Sequence, residues 1–414
     1  MTEEQRVVVT GIGAVSSVGS TVSSMWEALL EGKSGIVPVT EYDASDMRCR
    51  IAGEVRGADI QQFLSRKEAR RLDTFCHYAV IAAEEALGQS GLDLERADLT
   101  RAGVLVGSGI GGIRSLENQC RVLFERGPGK SSPLMVPMMI VDMASGYLSI
   151  RYAFKGPNLA VVTACSSGTH AIGEAMWTIR RGDADIMITG GAEACLSRLG
   201  TTGFCAMKAL SERNDDPERA SRPFDAERDG FIPAEGAGIL ILESLSHAKA
   251  RGAEILAEIS GYGASGDAYH ITAPDPQGDG AARAIRSAMS HAHVTGDDID
   301  YINAHGTSTP YNDKMETAAL KGVFGERAYE IPVSSTKSMT GHALGAAGGI
   351  ESVVCIQAIR NGVVPPTTNQ EVPDPECDLD YVPNVPRDVA TDVAVNINLG
   401  FGGHNAVLIY KRYM

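Results

Sequence analysis

The chain is poor in several features that mark particular classes of protein. It has no uninterrupted apolar run that approaches the ~18 residues of a membrane-spanning helix. It carries 37 Lys and Arg against 52 Asp and Glu, so its 414 residues have a formal net charge of −15. A nucleic-acid backbone is neutralised by clustered Lys and Arg, which this balance does not supply. The sequence therefore predicts no membrane partner and no general binding of nucleic acid.

The sequence also lacks paired cysteines and a secretory signal. Its eight cysteines form no C-x-x-C pair, which argues against a zinc site and against a disulfide scaffold. The acidic start, MTEEQ, has no basic segment followed by an apolar one. We therefore expect a reduced, cytoplasmic protein in which most cysteines act as small hydrophobic residues. They are Cys49, Cys76, Cys120, Cys165, Cys195, Cys205, Cys355 and Cys377.

Short apolar stretches that end in small residues alternate with longer stretches of helical spacing. RVVVTGIGAVSS, RAGVLVGSG, NLAVVTACSSG and ADIMITGGAEA are strand-like, whereas AVIAAEEALGQSG and THAIGEAMWTIRRG are helix-like. This alternation predicts an α/β fold whose central sheets are covered on both faces. The polar segment 211–238 is predicted to link parts of the chain at the surface, and the Pro-rich segment 364–388 to be a loop.

A weak internal repeat divides the chain. VVTGIGAVSS near residue 10 resembles EISGYGASGD near residue 260, and TIRRG and AIRNG each close a helix. We interpret the chain as two similar halves, 1–250 and 251–414. This interpretation predicts two similar sheets about a pseudo-two-fold axis, with the functional site between them.

Cys165 occupies a position that favours a chemical role. It lies between a strand-like stretch and a helix-like one, where helix dipole and free N–H groups favour a thiolate. The small neighbours Ala164, Ser166, Ser167 and Gly168 would let another molecule approach the sulfur. We therefore favour a nucleophile over a buried structural cysteine at this position.

Two histidines in the second half occur in matching contexts. His305 precedes a glycine in NAHGTSTP, and His342 follows one in MTGHALGAAGG, each at a predicted strand-to-turn junction. A lone histidine is more often a satisfied polar residue, but two in such contexts support a catalytic role. The Gly-rich LGFGGHN, 399–405, fits either a simple turn or a backbone donor that faces an oxyanion.

Two further stretches have competing interpretations. GSGIGG, 107–112, fits G-x-G-x-x-G, but no second strand ending in an acidic residue follows, so dinucleotide binding is disfavoured. The basic stretch SRKEARR, 65–71, is either a solvated helix face or a docking surface for an acidic partner.

Six ordered motifs give the chain a resemblance over its whole length. They are TACSSGTHAIGEA, GFCAMKALSERNDDPERASRPFDAERDGF, GYGASGDAYHITAPDP, NAHGTSTPYNDKMET, SSTKSMTGHALGAAGGIE and GFGGHN. Together they closely resemble the β-ketoacyl-acyl-carrier-protein synthases of fatty-acid synthesis, in the elongating type II class. The family implies a thiolase-like fold with five αβαβα layers and two duplicated halves, usually as a homodimer. Initiating synthases have Asn in place of the second histidine, so His342 favours the elongating class.

The resemblance also implies a mechanism. Cys165 would accept an acyl chain from acyl-carrier protein as a thioester. His305 and His342, as neutral Nε2–H donors, would stabilise the enolate that forms when malonyl-carrier protein loses carbon dioxide. The carbanion would attack the acyl thioester in a Claisen condensation. Backbone N–H groups of Cys165 and Phe401 would form the oxyanion hole.

The resemblance assigns supporting roles as well. Lys337 would belong to the catalytic site and pair with Glu316, in an ordering role. No cofactor is implied except a structural Na⁺ or K⁺ near Asn303 and Glu351. The acyl-binding residues would be Ile110, Phe204, Leu399 and the gating residue Phe401. The basic surface that docks the acidic carrier protein would comprise Lys67, Arg70, Arg71, Lys130 and Lys208.

Three residues depart from the family pattern. Leu399 replaces an aromatic residue beside the gate, which predicts looser gating. Ile397 replaces a polar residue near the cation, which weakens the prediction of a cation, and His404 replaces a threonine. Two alternatives stay open: a ketosynthase of a polyketide pathway, and a non-catalytic subunit like a chain-length factor. Such subunits typically lack the cysteine, so Cys165 argues against the second alternative.

Overall fold

The computed structural model describes residues 6–414, and the acidic start, residues 1–5, lies outside the described residues. The strands are β1 (Val7–Val15), β2 (Ile36–Pro38), β3 (Ile51–Gly53), β4 (Ala102–Gly107), β5 (Asn158–Leu159), β6 (Ile186–Glu193), β7 (Gly236–Ser244), β8 (Ala257–Gly266), β9 (Tyr301–Asn303), β10 (Val333–Ser334), β11 (Val363–Val364), β12 (Arg387–Asp388), β13 (Val393–Gly400) and β14 (His404–Lys411). The helices are α1 (Val22–Leu30), α2 (Arg66–Ala69), α3 (Thr74–Ser90), α4 (Ile113–Arg126), α5 (Met135–Met139), α6 (Met143–Tyr152), α7 (Ser167–Arg180), α8 (Arg198–Ala206), α9 (Leu245–Ala250), α10 (Asp279–Ala292), α11 (Pro310–Phe324), α12 (Lys337–Thr340) and α13 (Ala347–Asn361).

Ten strands form one continuous sheet rather than the two separate sheets that were predicted, because β1 and β8 join the halves, and the two halves of this sheet have the same topology. From the centre outwards, the order is β1-β7-β6-β4-β5 in one direction and β8-β14-β13-β9-β10 in the other. In both directions the first two pairings are antiparallel and the last two are parallel. β1 and β8 pair antiparallel at the centre, Val8 opposite Glu258. The prediction of two duplicated halves is confirmed by this topology, while the boundary between residues 250 and 251 stays a prediction.

Helices cover both halves of the sheet and fill the space between them. α3 packs on β1, β7 and β6 on one outer face, and α10 packs on β8 and β14 on the other. α7 and α13 pack on each other and lie against strands of both halves. The result is the predicted order of five layers, αβαβα, and the central helices share the largest buried apolar cluster.

Close contact in the central layer requires glycine. A Cβ atom on Gly238 of β7 would lie 2.1 Å from the carbonyl carbon of Gly349 in α13. A larger residue would therefore push the central helix away from the sheet. Because Gly349 is in the first turn of α13, the short distance holds the N-terminal end of this central helix against β7.

Three expectations about local structure are wrong, and the first two concern the segments that precede Cys165 and His342. The predicted strand before Cys165 is limited to Asn158–Leu159, because β5 is at the sheet edge and pairs only with Val104 and Leu105 of β4. His342 follows the short helix α12 rather than a strand, after Gly341 with φ 72°.

The segment 211–238 is not a surface link either. Its middle is buried, because Arg222 pairs with Asp225 and the ring of Phe224 stacks on Tyr381 with the ring centroids 3.8 Å apart. The Pro-rich segment 364–388 is a loop apart from its two ends, which pair as β11 and β12. Within residues 6–414, none of the helices has both the length and the apolar character needed to cross a membrane.

Candidate active site

Cys165 lies in a short 3-10 turn, Ala164–Ser166, directly before α7. Ala164 has φ 51°, a left-handed conformation that non-glycine residues rarely adopt outside turns and functional sites. The side chain of Ser166 fixes the turn, since its hydroxyl donates to the carbonyl oxygens of Asn398 and His404 at 3.0 and 2.8 Å. The second half of the chain thus holds the turn that carries the cysteine.

The Cys165 side chain is buried and is a neutral thiol in this environment. Burial raises the pKa of the thiol to about 12, although Lys337 and the N–H groups of Phe401 and Cys165 act in the opposite direction. The helix start and its N–H groups favour a thiolate as expected, but desolvation outweighs them in the resting protein. The two N–H groups that point at the sulfur are those predicted for the oxyanion hole.

Two buried histidines adjoin the sulfur. The Cys165 sulfur and one ring nitrogen each of His305 and His342 all lie within 4.8 Å of one another. The two rings are nearly perpendicular, with centroids 5.3 Å apart. Burial lowers the pKa of both imidazoles well below the ordinary value, and the charge of Lys337 lowers them further. Both histidines are therefore neutral at neutral pH.

His342 is held by its backbone and leaves its ring free. Its N–H donates to Ile232 at 2.8 Å, and its carbonyl accepts from Ala234 at 3.0 Å. Both ring nitrogens are buried, yet neither has a hydrogen-bond partner within the described part of the chain. A buried polar atom without a partner is unusual in a folded protein and is suited to a ligand.

His305 is positioned by the two carboxylate oxygens of Glu316 and by the side-chain amide of Asn398. The backbone N–H groups of His305 and Gly306 donate to the Glu316 carboxylate on α11 at 2.7 and 2.8 Å. The side-chain nitrogen of Asn398 lies 3.5 Å from Nδ1 of His305. An amide donor at Nδ1 favours the tautomer with its proton on Nε2.

The predicted pair of Lys337 and Glu316 is wrong. The Lys337 ammonium instead pairs with Glu351 on α13, and both side chains are buried. The second oxygen of Glu351 accepts from Asn398 at 2.6 Å. Glu316 is unavailable to the lysine because its two oxygens already accept the backbone N–H groups beside His305.

The predicted acyl-binding residues fall into two groups near Cys165. A cavity of about 320 Å³ contains Cys165 and both histidines in its wall, together with Leu399 and Phe401. Ile110 and Phe204 lie elsewhere, packed against the apolar cluster that contains Cys165. That cluster also contains Cys195, Leu196, Phe231 and Leu344. The cavity and this apolar cluster thus share Cys165, Phe231 and Leu344.

The structure places the predicted docking residues at the surface. Their side chains are all exposed: Lys67, Arg70, Arg71, Lys130 and Lys208. Of these, Lys208 also lines the cavity that contains Cys165.

Sequence reasoning missed two buried polar residues of the site. Asn398 joins Glu351 to His305, and Glu193 ends β6 beside the glycines after β4. The available signal was the same in both cases: a polar residue in the last three positions of a buried, mainly apolar strand.

Comparisons with known proteins agree with this geometry. Residues 4–248 match the family model for the beta-ketoacyl synthase N-terminal domain, and residues 256–371 match the model for its C-terminal domain. The chain belongs to the β-ketoacyl synthase family. The predicted family and thiolase-like fold are thus confirmed. A 3-oxoacyl-[acyl-carrier-protein] synthase 2 of Synechocystis is 53% identical over 411 residues, with 99% of both chains covered.

Further relatives extend the match to solved structures. A 3-oxoacyl-[acyl-carrier-protein] synthase 2 of Staphylococcus aureus is 51% identical over 413 residues, the full length of both chains. One solved structure is described as a type II polyketide-synthase acyl-carrier protein in complex with its ketosynthase bound to the hexaketide. It superposes with a TM-score of 0.91 at 36% identity and 99% coverage of both chains.

Proposed function

We propose that the chain is a cytoplasmic 3-oxoacyl-[acyl-carrier-protein] synthase that elongates fatty acyl chains by decarboxylative Claisen condensation. One observation carries the proposal: a buried thiol lies within 4.8 Å of ring nitrogens of two neutral histidines. A nucleophile beside two uncharged hydrogen-bond donors suits acyl transfer followed by formation of an enolate. The full-length relatives at 53% and 51% identity carry the name of this activity.

In the first step, Cys165 takes the acyl group. Its sulfur attacks the carbonyl carbon of the acyl thioester, and the oxyanion accepts hydrogen bonds from the N–H groups of Cys165 and Phe401. The bond to the carrier thiol then breaks, and the leaving sulfur takes up the proton that Cys165 loses. The high pKa of Cys165 delays loss of this proton until the thioester is bound.

In the second step, a malonyl thioester supplies the carbanion. Loss of carbon dioxide leaves the electron pair on an enolate, whose oxygen accepts from the Nε2–H groups of His305 and His342. The enolate carbon attacks the acyl-enzyme carbonyl, the new C–C bond forms, and the Cys165 sulfur leaves. A protonated histidine could give its proton to the enolate and quench it, so neutral rings serve this step.

The cavity and the apolar cluster, which meet at Phe231 and Leu344, form two sides of the site and suit the two substrates. The apolar cluster with Ile110 and Phe204 would receive the acyl chain, and the cavity with Leu399 and Phe401 would admit the malonyl thioester. Phe401 is part of the turn between β13 and β14, where it can control passage between the two sides. The exposed basic residues would dock an acidic carrier protein, whose encounter rate gains from opposite charge.

The predicted cation is compatible with part of its predicted site. Asn303 and Asn396 are paired in the β9–β13 ladder, and each has a buried side-chain oxygen without a partner within residues 6–414. Amide oxygens suit Na⁺ or K⁺ as hard ligands. The Glu351 carboxylate is already used by Lys337 and Asn398, so we propose the two asparagines, without Glu351, as the side-chain ligands. The cation would have a structural role only.

An intact-mass experiment tests the proposed function. The protein is incubated with an acyl-carrier-protein thioester, beside a Cys165→Ala variant. We expect the wild type to gain the mass of the acyl group and the variant to gain nothing. A folded wild-type protein that gains no mass from a competent carrier would contradict the proposal and favour a non-catalytic partner subunit.

A further inference from the structure

Glu193 is a fully buried carboxylate that the condensation mechanism does not use. It is the last residue of β6 and accepts four hydrogen bonds. One oxygen accepts from the hydroxyl of Ser108 at 2.9 Å and the N–H of Ile110 at 3.2 Å. The other accepts from the N–H groups of Gly109 at 2.6 Å and Gly345 at 3.0 Å.

The surroundings of Glu193 are built for a carboxylate. All four partners donate, and only an ionised carboxylate offers acceptor sites on both oxygens without a donor of its own. A Cβ atom on Gly109 would lie 2.9 Å from the carboxylate oxygen, and one on Gly345 would lie 2.8 Å from it. Glycine at both positions thus allows the two backbone segments to enclose the side chain.

The four donors come from two segments that both adjoin the apolar cluster around Cys165. Ile110 packs against the apolar cluster that contains Cys165. Gly345 follows Leu344, which belongs to that cluster and also lines the cavity, and it lies three residues after His342. The carboxylate therefore connects the apolar wall behind the sulfur to the segment that carries a catalytic histidine.

We propose that Glu193 is a positioning residue that holds the Ser108–Ile110 segment against Gly345. It thereby keeps the acyl-chain wall and the His342 segment at a fixed spacing around Cys165. This inference rests on the proposed function and deepens it. The wall contacts a long acyl chain more than a short one, so the spacing is expected to affect the transfer of long chains most.

The charge of Glu193 also acts on the sulfur. Burial raises the pKa of Glu193 to about 7, with the four donors opposing it. The carboxylate in turn contributes to the high pKa of Cys165, where Lys337 acts in the opposite direction. Glu193 also acts on Cys195, and burial keeps the pKa of that thiol well above its ordinary value. Removing the charge should therefore make Cys165 more reactive toward a small reagent.

The test compares Glu193→Gln with the wild type in two assays. The first measures alkylation of Cys165 by iodoacetamide from pH 5.5 to 8.5, located by peptide mass spectrometry. The second measures acylation by acetyl- and dodecanoyl-carrier-protein thioesters. Glu54→Gln is the matched control, because Glu54 is a buried carboxylate that accepts from Thr40 and Glu41.

We expect the two assays to change in opposite directions in Glu193→Gln. Alkylation should become about threefold faster at pH 8.5, because the negative charge of Glu193 no longer opposes the Cys165 thiolate. It should converge with the wild type at pH 5.5, where Glu193 is protonated. Dodecanoyl transfer should become roughly tenfold slower, and acetyl transfer should change little. Equal slowing of all reactions, or no change in either assay, would overturn the proposal.

A second variant decides the question if Glu193→Gln does not fold. Ser108→Ala removes one donor and keeps the carboxylate. It should slow dodecanoyl transfer more than acetyl transfer and leave alkylation unchanged, and a loss independent of chain length would contradict the proposal. Alkylation of Cys165 needs no carrier protein and can be measured even in a wild type that does not accept acyl groups. A wild type without acyl transfer would therefore refute the proposed function without deciding the role of Glu193.

Discussion

At the scale of single residues, the site depends on which buried acid each polar group contacts. Lys337 and Glu351 form an ion pair with almost no solvent exposure, and Asn398 extends it towards His305. Burial raises the pKa of Glu351, while Lys337 and Asn398 oppose the rise. Removing one member of such a pair leaves the other charge without compensation, which costs far more than removing both.

We expect Lys337→Met to lower the free energy of unfolding by about 3–5 kcal/mol, because Glu351 remains buried without its cation. Lys337→Met combined with Glu351→Gln removes both charges and should recover much of this loss. Lys337→Met combined with Glu316→Gln is the matched control and should recover nothing, since Glu316 has donors of its own. Chemical denaturation measures the free energy of unfolding of the wild type and the three variants. Recovery in the double variant with Glu316→Gln, but not in the double variant with Glu351→Gln, would contradict the pairing of Lys337 with Glu351.

Sequence patterns predicted which residues converge at the site better than which ones pair. Cys165, His305 and His342 could be named because small residues and glycines surround each of them. The partner of Lys337 could not, because Glu316 and Glu351 are both acidic residues on helices and only the folded arrangement of those helices decides which carboxylate the lysine reaches. Glu193 was missed since its four partners come from segments about 85 and 150 residues away.

At the scale of secondary-structure elements, buried charge also joins strands and helices away from the site. Glu243 of β7 accepts from Thr10 of β1 and from His247 of α9, and Arg251, just after α9, donates to both of its oxygens. Burial alone would raise the pKa of Glu243, but Arg251, His247 and Thr10 outweigh it and lower the pKa to about 2. The ionised carboxylate of Glu243 therefore stabilises the fold at pH values above the ordinary pKa of a glutamate side chain.

Acid should remove this contribution in a defined pH window. A carboxyl whose pKa falls from 4.5 to about 2 on folding contributes about 3 kcal/mol, which is present above pH 4.5 and is lost as the pH falls through 2. We expect Arg251→Met to lower the free energy of unfolding by up to that amount at pH 7, with a difference that shrinks towards pH 2. Urea denaturation at several pH values measures it.

A matched control for this prediction is Arg360→Met. Arg360 pairs with the exposed Glu254, so its loss should cost less than about 1 kcal/mol at every pH. Two results would show that the Glu243 network does not act as described. One is an equal loss of unfolding free energy in both variants, and the other is a difference between Arg251→Met and the wild type that grows in acid.

The strand before the cysteine illustrates a limit of sequence patterns at this scale. NLAVVTA has the composition of a buried strand, yet only Asn158 and Leu159 pair, because the chain must leave the sheet edge to reach the start of α7. The duplicated topology was predicted correctly from a few matched turns. Each half repeats the same order of strand, turn and helix, and the turns preserve that order in the sequence.

At the scale of the whole molecule, one edge of the ten-stranded sheet carries an exposed apolar surface. β5 is the edge strand, and α4, α5 and α6 pack in series beside it. Large apolar side chains on these segments are exposed, among them Phe124 at 85%, Ile150 at 77% and Leu159 at 58%. Open strand edges and exposed apolar patches mark surfaces that associate, so we propose that two copies of the chain associate through β5 as the homodimer that the resemblance implies.

We expect the wild type to sediment as a dimer and Leu159→Asp to sediment as a monomer at the same micromolar concentration. The reason is that the variant places a charge on the apolar edge, where a like copy would face it. Val385→Asp is the matched control, since Val385 is 67% exposed on the Pro-rich loop and away from β5. A monomeric wild type, or a Leu159→Asp variant as dimeric as Val385→Asp, would contradict association through this edge. A dimer lost only in Leu159→Asp would place the partner beside Cys165's segment, because the chain runs from β5 to that cysteine in six residues.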